Sequence, residues 1–396
     1  MMNLLSDDMR RDPYPAYERA RDVSPVLHEP GADVWMVFDH EGVKRALHEH
    51  ETFSSVVSPP DNKTSRWLVF TDAPRHTKLR ALIMRAFTPR AVANLEPRIR
   101  EWSHQLLDGP LERGSMDLVE ELAVPLPLWV ITQMFGAPQE DLPRFKRWSD
   151  VIMALSYFLA GGAEAERAGR EFRAVTDEMQ VYLTELISQR RAEPREDLLT
   201  QLVAAEVDGE RLTEEDLLGF FQLLLSAGHE TTTNLLSNAL LCLLEHPEQL
   251  ARLRADPGLL PLAIEEVLRY RSPVQTMFRV TRRDVALHGQ VIPAGKLVMP
   301  MIGSANRDPR KFPDAHRFDI TRDPNPHLAF GHGIHFCIGA PLSRLEARIA
   351  LGVFLERVKH FELASDTPWE PRRAIHVHGP VRLPLHLEGV RRTTRP

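Results

Sequence analysis

The sequence predicts a mainly α-helical protein with small β-sheets, folded as a single domain over residues 1–396. Three observations predict it. Apolar residues recur at helical spacing through most of 75–192. One further stretch, from Thr213 to Leu244, would form a helix about 45 Å long at 1.5 Å per residue, enough to cross a whole domain. Strand patterning is confined to short runs near 280–303 and in the tail around 374–387.

Taken in order, residues 12–50 mix short helices with a strand at Val34–Phe38. Residues 54–66, rich in Ser, Pro and Asn, read as an exposed loop. Helical spacing covers 75–87, 91–108, 117–135 and 139–192. Thr213, followed by Glu214, Glu215 and Asp216, gives the long helix a capping-box start, and Pro247 stops it. Its middle, Ala227-Gly228-His229-Glu230-Thr231-Thr232-Thr233-Asn234, is rich in poor helix formers. Such a local violation inside a strong helix points to a functional site. The runs VALHG, QVIPAG and KLVMPMI read as strands with turns at His288-Gly289 and Pro293-Ala294-Gly295. A helix returns after Cys337.

The net charge of −6, from 49 basic and 55 acidic residues, gives no electrostatic case for binding nucleic acid. Cys242 and Cys337 could form at most one bridge, so a disulfide framework is not expected and a reducing, cytoplasmic setting is. The N-terminus shows no long apolar stretch, so neither a signal peptide nor a membrane anchor is expected. Leu217–Leu244 is interrupted by Gln222, His229, Glu230, three threonines and Asn234, which makes a poor transmembrane helix. No repeat, linker or domain boundary is evident, and a monomer is expected.

Cys337 lies in a glycine-rich segment, Phe330-Gly331-His332-Gly333-Ile334-His335-Phe336-Cys337-Ile338-Gly339. Leu342, Leu345, Ile349 and Val353 follow at helical spacing. A cysteine just before a helix meets free backbone N–H groups and the helix dipole, which favour a thiolate. The glycines permit positive φ and close approach to a flat ligand. A thiolate so held can be an axial iron ligand. Two other readings stand beside this one: a buried free cysteine in a turn, and a zinc site of His332, His335 and Cys337 whose spacing is tight for zinc. Cys242, on the apolar part of the long helix, reads as core.

The run Phe330-x-x-Gly333-x-x-x-Cys337-x-Gly339 resembles the haem-binding signature of the cytochrome P450 family. Three more motifs resemble the family's in the expected order. Asp72-Ala73-Pro74-Arg75-His76-Thr77-Lys78-Leu79-Arg80 resembles the start of its haem-contacting helix. Ala227-Gly228-His229-Glu230-Thr231 resembles its oxygen-activation motif, and Glu266-Val267-Leu268-Arg269 its ExxR motif. The resemblance spans nearly the whole chain and implies a single cytochrome P450-type helical domain of the soluble bacterial kind.

The resemblance also implies roles. Cys337 would be the proximal thiolate ligand of haem b. Glu230 and Thr231 would be the acid–alcohol pair that moves protons; the competing reading is a solvated face with a Thr bonded to its own helix. Glu266 and Arg269 would form a buried structural pair with Arg317 as the third member, against an exposed ion pair of a few tenths of a kcal/mol. The haem carboxylates need cationic partners, and His76, Arg80, Arg279 and His335 stand at the corresponding positions. Ala227, Phe330, Gly333 and Gly339 would pack about the cofactor. The substrate would meet Trp67, Leu68, Val69 and Phe70, then Leu223, Leu224 and Gly228, then Val274, Gln275, Thr276, Met277 and Phe278. Ser156 to Leu159 would form a lid. Any of these could equally be ordinary core.

The implied reaction inserts one atom of O2 into a hydrophobic small molecule, as hydroxylation or epoxidation of the kind used in secondary metabolism. Electrons would come from a separate ferredoxin-type or flavodoxin-type donor, since no flavin or iron–sulfur motif is present and little chain follows the haem helix. The alternatives are a peroxide-driven haem-thiolate enzyme, a non-enzymatic haem sensor or carrier, and a zinc protein without haem.

Overall fold

The structure, a computed structural model, describes residues 6–57, 62–154 and 163–390. The helix Glu214–Glu245 is its axis. The predicted capping box forms: Thr213 Oγ1 accepts from the Asp216 N–H at 3.1 Å, and Asp216 Oδ2 accepts from the Thr213 N–H at 3.2 Å. Glu214, Glu215 and Asp216 put acids at the positive end of the helix dipole. Around this axis pack helices Pro125–Met134, Leu142–Ala154, Leu260–Tyr270 and Ala340–Arg357, and their apolar faces form the main core with Phe221, Leu225, Leu236 and Leu240.

Some boundaries differ from the sequence reading. The helical stretch 117–135 is a π-helical turn, Val119–Ala123, followed by Pro125–Met134, because a proline there admits only the start of a new helix. The stretch 139–192 is divided into Leu142–Ala154 and Ala163–Ala192; Ser156 to Leu159, named as a lid, lie outside the described residues. Part of the 54–66 loop is a 3₁₀ turn, Lys63–Arg66, capped by Asn62.

The small sheets bracket the helical mass. A five-stranded sheet runs in the order Val26–Glu29, Val34–Val37, Leu297–Pro300, Arg279–Thr281, Phe53–Ser54, with the second and third strands parallel. Val285–Leu287 and Gln290–Ile292 form the expected hairpin, turning at His288 and Gly289, whose φ values are 49° and 77°. A strand at Val358–Leu363, unpredicted from sequence, pairs with Pro384–Gly389. Among the described residues no helix is long and apolar enough to cross a membrane.

Glu266 and Arg269 form a completely buried ion pair, Nε to Oε2 at 2.8 Å and Nη2 to Oε1 at 2.7 Å. Arg269 also donates to the carbonyls of Asn306, Ala315 and Arg317. Glu266 accepts from the Asp319 N–H, Asn325 Nδ2 and Arg322 Nε. The third arginine is therefore Arg322, at 3.3 Å, and not Arg317, which contributes only its backbone carbonyl. Motif spacing cannot distinguish the two, because side-chain direction there depends on the loop's path.

Removing one partner of a buried pair strands the other's charge. Arg269→Ala is expected to cost about 3–5 kcal/mol, and Arg317→Ala less than about 0.5 kcal/mol. Urea denaturation of both variants checks this; equal losses would mean that the Arg317 side chain does bear on the pair.

Candidate active site

The Cys337 loop is built by backbone bonds and two left-handed glycines. Cys337 N–H donates to the Phe330 carbonyl at 2.9 Å, and Phe336 N–H to the Gly333 carbonyl at 3.1 Å. Gly331 and Gly333 both have φ of 74°. Gly333 does not line the cavity; a Cβ there would sit 3.0 Å from His48 Cα, so its hydrogen makes room for the helix His40–His48. Arg344 clamps the far side, forked onto Glu265 at 2.6 and 2.8 Å and lying 4.4 Å over the Phe330 ring.

Cys337 is exposed to one large cavity of about 1450 Å³, counting its mouth. Burial pushes its thiol pKa up, against the N–H groups of Gly339 and Ala340 and the charges of Arg80 and Arg344. The helix-end groups thus act in the direction expected from sequence, but burial outweighs them. A thiolate here needs a cation bound to it. Among the described residues no cluster of three or more His, Cys, Asp or Glu could hold a metal, so the His332, His335, Cys337 zinc reading has no supporting geometry. His335 instead bonds Ser55 Oγ at 3.0 Å, and its ring lies tilted against that of His76 with centroids 4.1 Å apart.

His76, Arg80, Arg279 and His335 all line this cavity. Burial drives the imidazoles down, His76 to about 4 and His335 to about 3, with neighbouring cations adding to the effect. Arg279 falls to about 10, again through burial. Both His76 nitrogens are buried without a hydrogen-bond partner among the described residues. Asp72, the nearest acid, is already held by Ser54, Ser55 and Arg282. Among the described residues no acid forms an ion pair with any of the four, which is the chemistry that receives a ligand's carboxylates.

The walls are mostly apolar. Leu68, Val69, Leu223, Leu224, Ala227, Gly228, Val274, Met277, Phe330 and Gly339 line the cavity, as does Thr231. Five residues named from sequence turn elsewhere. Trp67 donates to Gln222 Oε1 at 3.0 Å and stacks on Phe70. Gln275 donates to the Ser272 carbonyl, Thr276 to the Pro300 carbonyl, and Phe278 faces a groove by the N-terminal helices.

On the central helix, Thr231 Oγ1 donates back to the Ala227 carbonyl at 2.5 Å. Glu230 does not line the cavity; it is buried, and its nearest charge is Arg372 Nε at 4.0 Å. Burial raises the Glu230 carboxyl to about 7, with Arg372 pulling it down and Asp150 adding to the rise. His229 is buried against Ser149 Oγ at 2.9 Å and held neutral, its pKa lowered to about 3 mainly by burial.

The Cytochrome P450 family model matches residues 27–257 and 258–378. The chain belongs to the cytochrome P450 family. Cytochrome P450 monooxygenase PikC of Streptomyces venezuelae is 42% identical over 94% of this P450 and 91% of its own length. The solved structure of CYP109Q5 from Chondromyces apiculatus is 42% identical, covers 98% of each chain and superposes with a TM-score of 0.89. CYP109E1 from Bacillus megaterium is 39% identical, covers 95% of this chain and 99% of its own, with a TM-score of 0.86. This P450 is accordingly a monooxygenase, an oxidoreductase of the haem-thiolate iron class. Its residues fit that cofactor: an accessible cysteine and an anion-deficient cationic group share one cavity.

Sequence reasoning missed several cavity residues. Phe220 stands one helical turn before Leu223 and Leu224, so periodicity could have found it. Glu346 is a lone acid among Leu342, Leu345, Ala347 and Ile349, and burial holds its carboxyl well above the usual range. Phe87 and Ile302 reach the cavity only through tertiary folding, and no local signal marks them.

The raised Glu230 pKa has a consequence for stability. The penalty is absent where the carboxyl is neutral in both states, grows as pH rises from 4.5 to about 7, and is constant above that. Glu230→Gln is expected to stabilise the protein by about 3 kcal/mol at pH 8 and hardly at all near pH 4. Denaturation midpoints across this range check it; a pH-independent difference would assign the titration to another group.

Proposed function

We propose that Cys337 is the axial ligand of haem b, and that the chain hydroxylates or epoxidises a neutral, apolar small molecule using O2. The observation that carries this reading is the convergence, in one cavity, of the Cys337 thiol, the His76, Arg80, Arg279 and His335 group, and Thr231 within otherwise apolar walls. Bound iron supplies the activation of dioxygen. Arg80 and Arg279 carry two positive charges for the two haem carboxylates, and His76 and His335 offer ring nitrogens to the same groups. Leu223, Leu224, Val274 and Met277 hold the substrate by burial and exclude water. With no cation on this apolar wall, a substrate carrying a carboxylate would lack a counter-ion. The solved CYP109E1 from Bacillus megaterium is in complex with testosterone, an uncharged and largely apolar small molecule.

In this reading Glu230 and Thr231 move protons. The two side chains are adjacent on the helix, about 100° apart around its axis. Thr231 reaches the cavity and Glu230 reaches buried protein on the other side. A carboxyl poised near neutrality both takes up and gives up a proton. Thr231 Oγ1, now bonded to the Ala227 carbonyl, can also accept a proton and pass one on. Electrons come from a separate ferredoxin-type or flavodoxin-type partner. We read the chain as a cytoplasmic monomer, and its two free cysteines fit a reducing compartment.

Two experiments test this. The reduced carbon monoxide difference spectrum is expected to show the strongly red-shifted Soret band of thiolate ligation, and Cys337→Ala is expected to abolish it. An unchanged spectrum in the variant would overturn the ligand assignment. Thr231→Ala is expected to keep haem and the substrate-induced spin shift while diverting most reducing equivalents to hydrogen peroxide. Coupling equal to the parent's would remove Thr231 from the proton path.

A further inference from the structure

Gln222 interrupts an apolar stretch of the central helix, between Phe221 and Leu223, and it is buried. A buried amide must place both a carbonyl and an NH2 group. Trp67 Nε1 donates to Gln222 Oε1 at 3.0 Å, and Gln222 Nε2 donates to Thr176 Oγ1 at 3.1 Å, with Met179 Sδ at 3.8 Å. An indole N–H can only donate, so the amide has one orientation that satisfies both ends. Thr176 and Met179 lie three apart on the helix Ala163–Ala192, on the face that meets Gln222. Among the described residues, neither of them lines the cavity.

Trp67 stands between two 3₁₀ turns. Its N–H donates to the Thr64 carbonyl at the end of Lys63–Arg66, and its carbonyl accepts from the Phe70 N–H at the start of Leu68–Phe70, both at 2.9 Å. With the indole held on Gln222 and stacked on Phe70, Leu68 and Val69 are the residues of this turn that face the cavity. The central helix comes close here: a Cβ on Gly219 would lie 3.0 Å from the Arg66 carbonyl oxygen. Two ion pairs also tether the loop, Lys63 to Asp177 at 2.6 Å and Arg66 to Glu215 at 3.0 Å. Their side chains are exposed, so water and salt weaken them. The Gln222 tie is buried, and cutting it strands polar groups that water does not reach.

We infer that Gln222 is a positioning residue for ligand selectivity: its amide fixes Trp67 against Thr176 and so holds Leu68 and Val69 in place as a wall of the cavity. The inference rests on the reading of this cavity as the site of haem and an apolar substrate. Gln222 touches neither. It acts through Trp67, whose side chain is turned away from the cavity while the two residues after it face inward. Thr176 gives the wall a second anchor on a helix that the ligand does not meet. A change on the helix Ala163–Ala192 therefore reaches the ligand through one amide, with no change in the residues that line the cavity.

The test titrates the ferric holoenzyme with imidazole and with phenylimidazole, following the Soret shift as a ring nitrogen binds iron. Only phenylimidazole carries an apolar group for the wall to hold. Gln222→Met keeps the side chain's bulk and loses both bonds; it is expected to weaken phenylimidazole about fivefold and imidazole less than about twofold. Thr176→Val is expected to weaken phenylimidazole about threefold from outside the cavity, and Lys63→Ala to change neither ligand. Adding Trp67→Phe to Gln222→Met is expected to weaken phenylimidazole no further, because the tie is already cut. Amide hydrogen exchange at Phe70 and Thr71 is expected to quicken about tenfold in Gln222→Met, with the Cys337 N–H unchanged. Phenylimidazole affinity and exchange unmoved by Gln222→Met, an equal loss of imidazole, or an equal effect of Lys63→Ala would overturn the inference. No Soret response to either ligand in the parent would instead overturn the haem reading of the cavity.

Discussion

A fully buried carboxylate and guanidinium tolerate no unmet valence, and Glu266 with Arg269 meets every one from protein. The partners it recruits are backbone groups of Asn306, Ala315, Arg317 and Asp319, with the side chains of Arg322 and Asn325. The otherwise irregular chain from 306 to 325 is thereby fixed. Asn306 then accepts from the Leu328 N–H at 2.7 Å, which passes the constraint to the start of the cysteine loop. The preceding glutamate works outward. Glu265 bonds His327 before the loop and Arg344 after it. Adjacent residues on one helix therefore fix the approach to Cys337 and grip both of its flanks.

The central helix divides its labour by face. Ala227 and Thr231 look into the cavity, Phe221 and Leu225 into the core, and Glu230 and Asn234 toward the C-terminal segment. Several residues that weaken helix propensity at 227–234, Gly228, Thr231, Thr232 and Asn234, serve the first and last faces, while His229 bonds Ser149 and Thr233 donates to the Ala123 carbonyl. The helix nonetheless runs unbroken from 214 to 245, because packing on several helices outweighs local preference.

Much of this was legible in the sequence because periodicity and caps are local signals. The long helix, its Thr213 cap, the His288-Gly289 hairpin and the cysteine loop all announce themselves within a few residues. Direction of individual side chains is not local. In the 3₁₀ turn after Trp67, residues three apart eclipse, so Trp67 and Phe70 stack together on one side while Leu68 and Val69 face the cavity. The irregular run 274–278 likewise sends Val274 and Met277 inward and Gln275, Thr276 and Phe278 away. The strand Val358–Leu363 follows directly on a helix and owes its form to pairing with a segment more than twenty residues later.

The cationic group in the cavity makes the polypeptide, on its own, an incomplete electrostatic object. Arg80 and Arg279 hold like charge in a half-dry space beside imidazoles that burial keeps neutral. That strain belongs to the folded chain and vanishes when the chain unfolds. A doubly anionic ligand removes it, so such a ligand acts as a missing piece of the interior, and its affinity and the stability of the fold are one free energy measured from two sides.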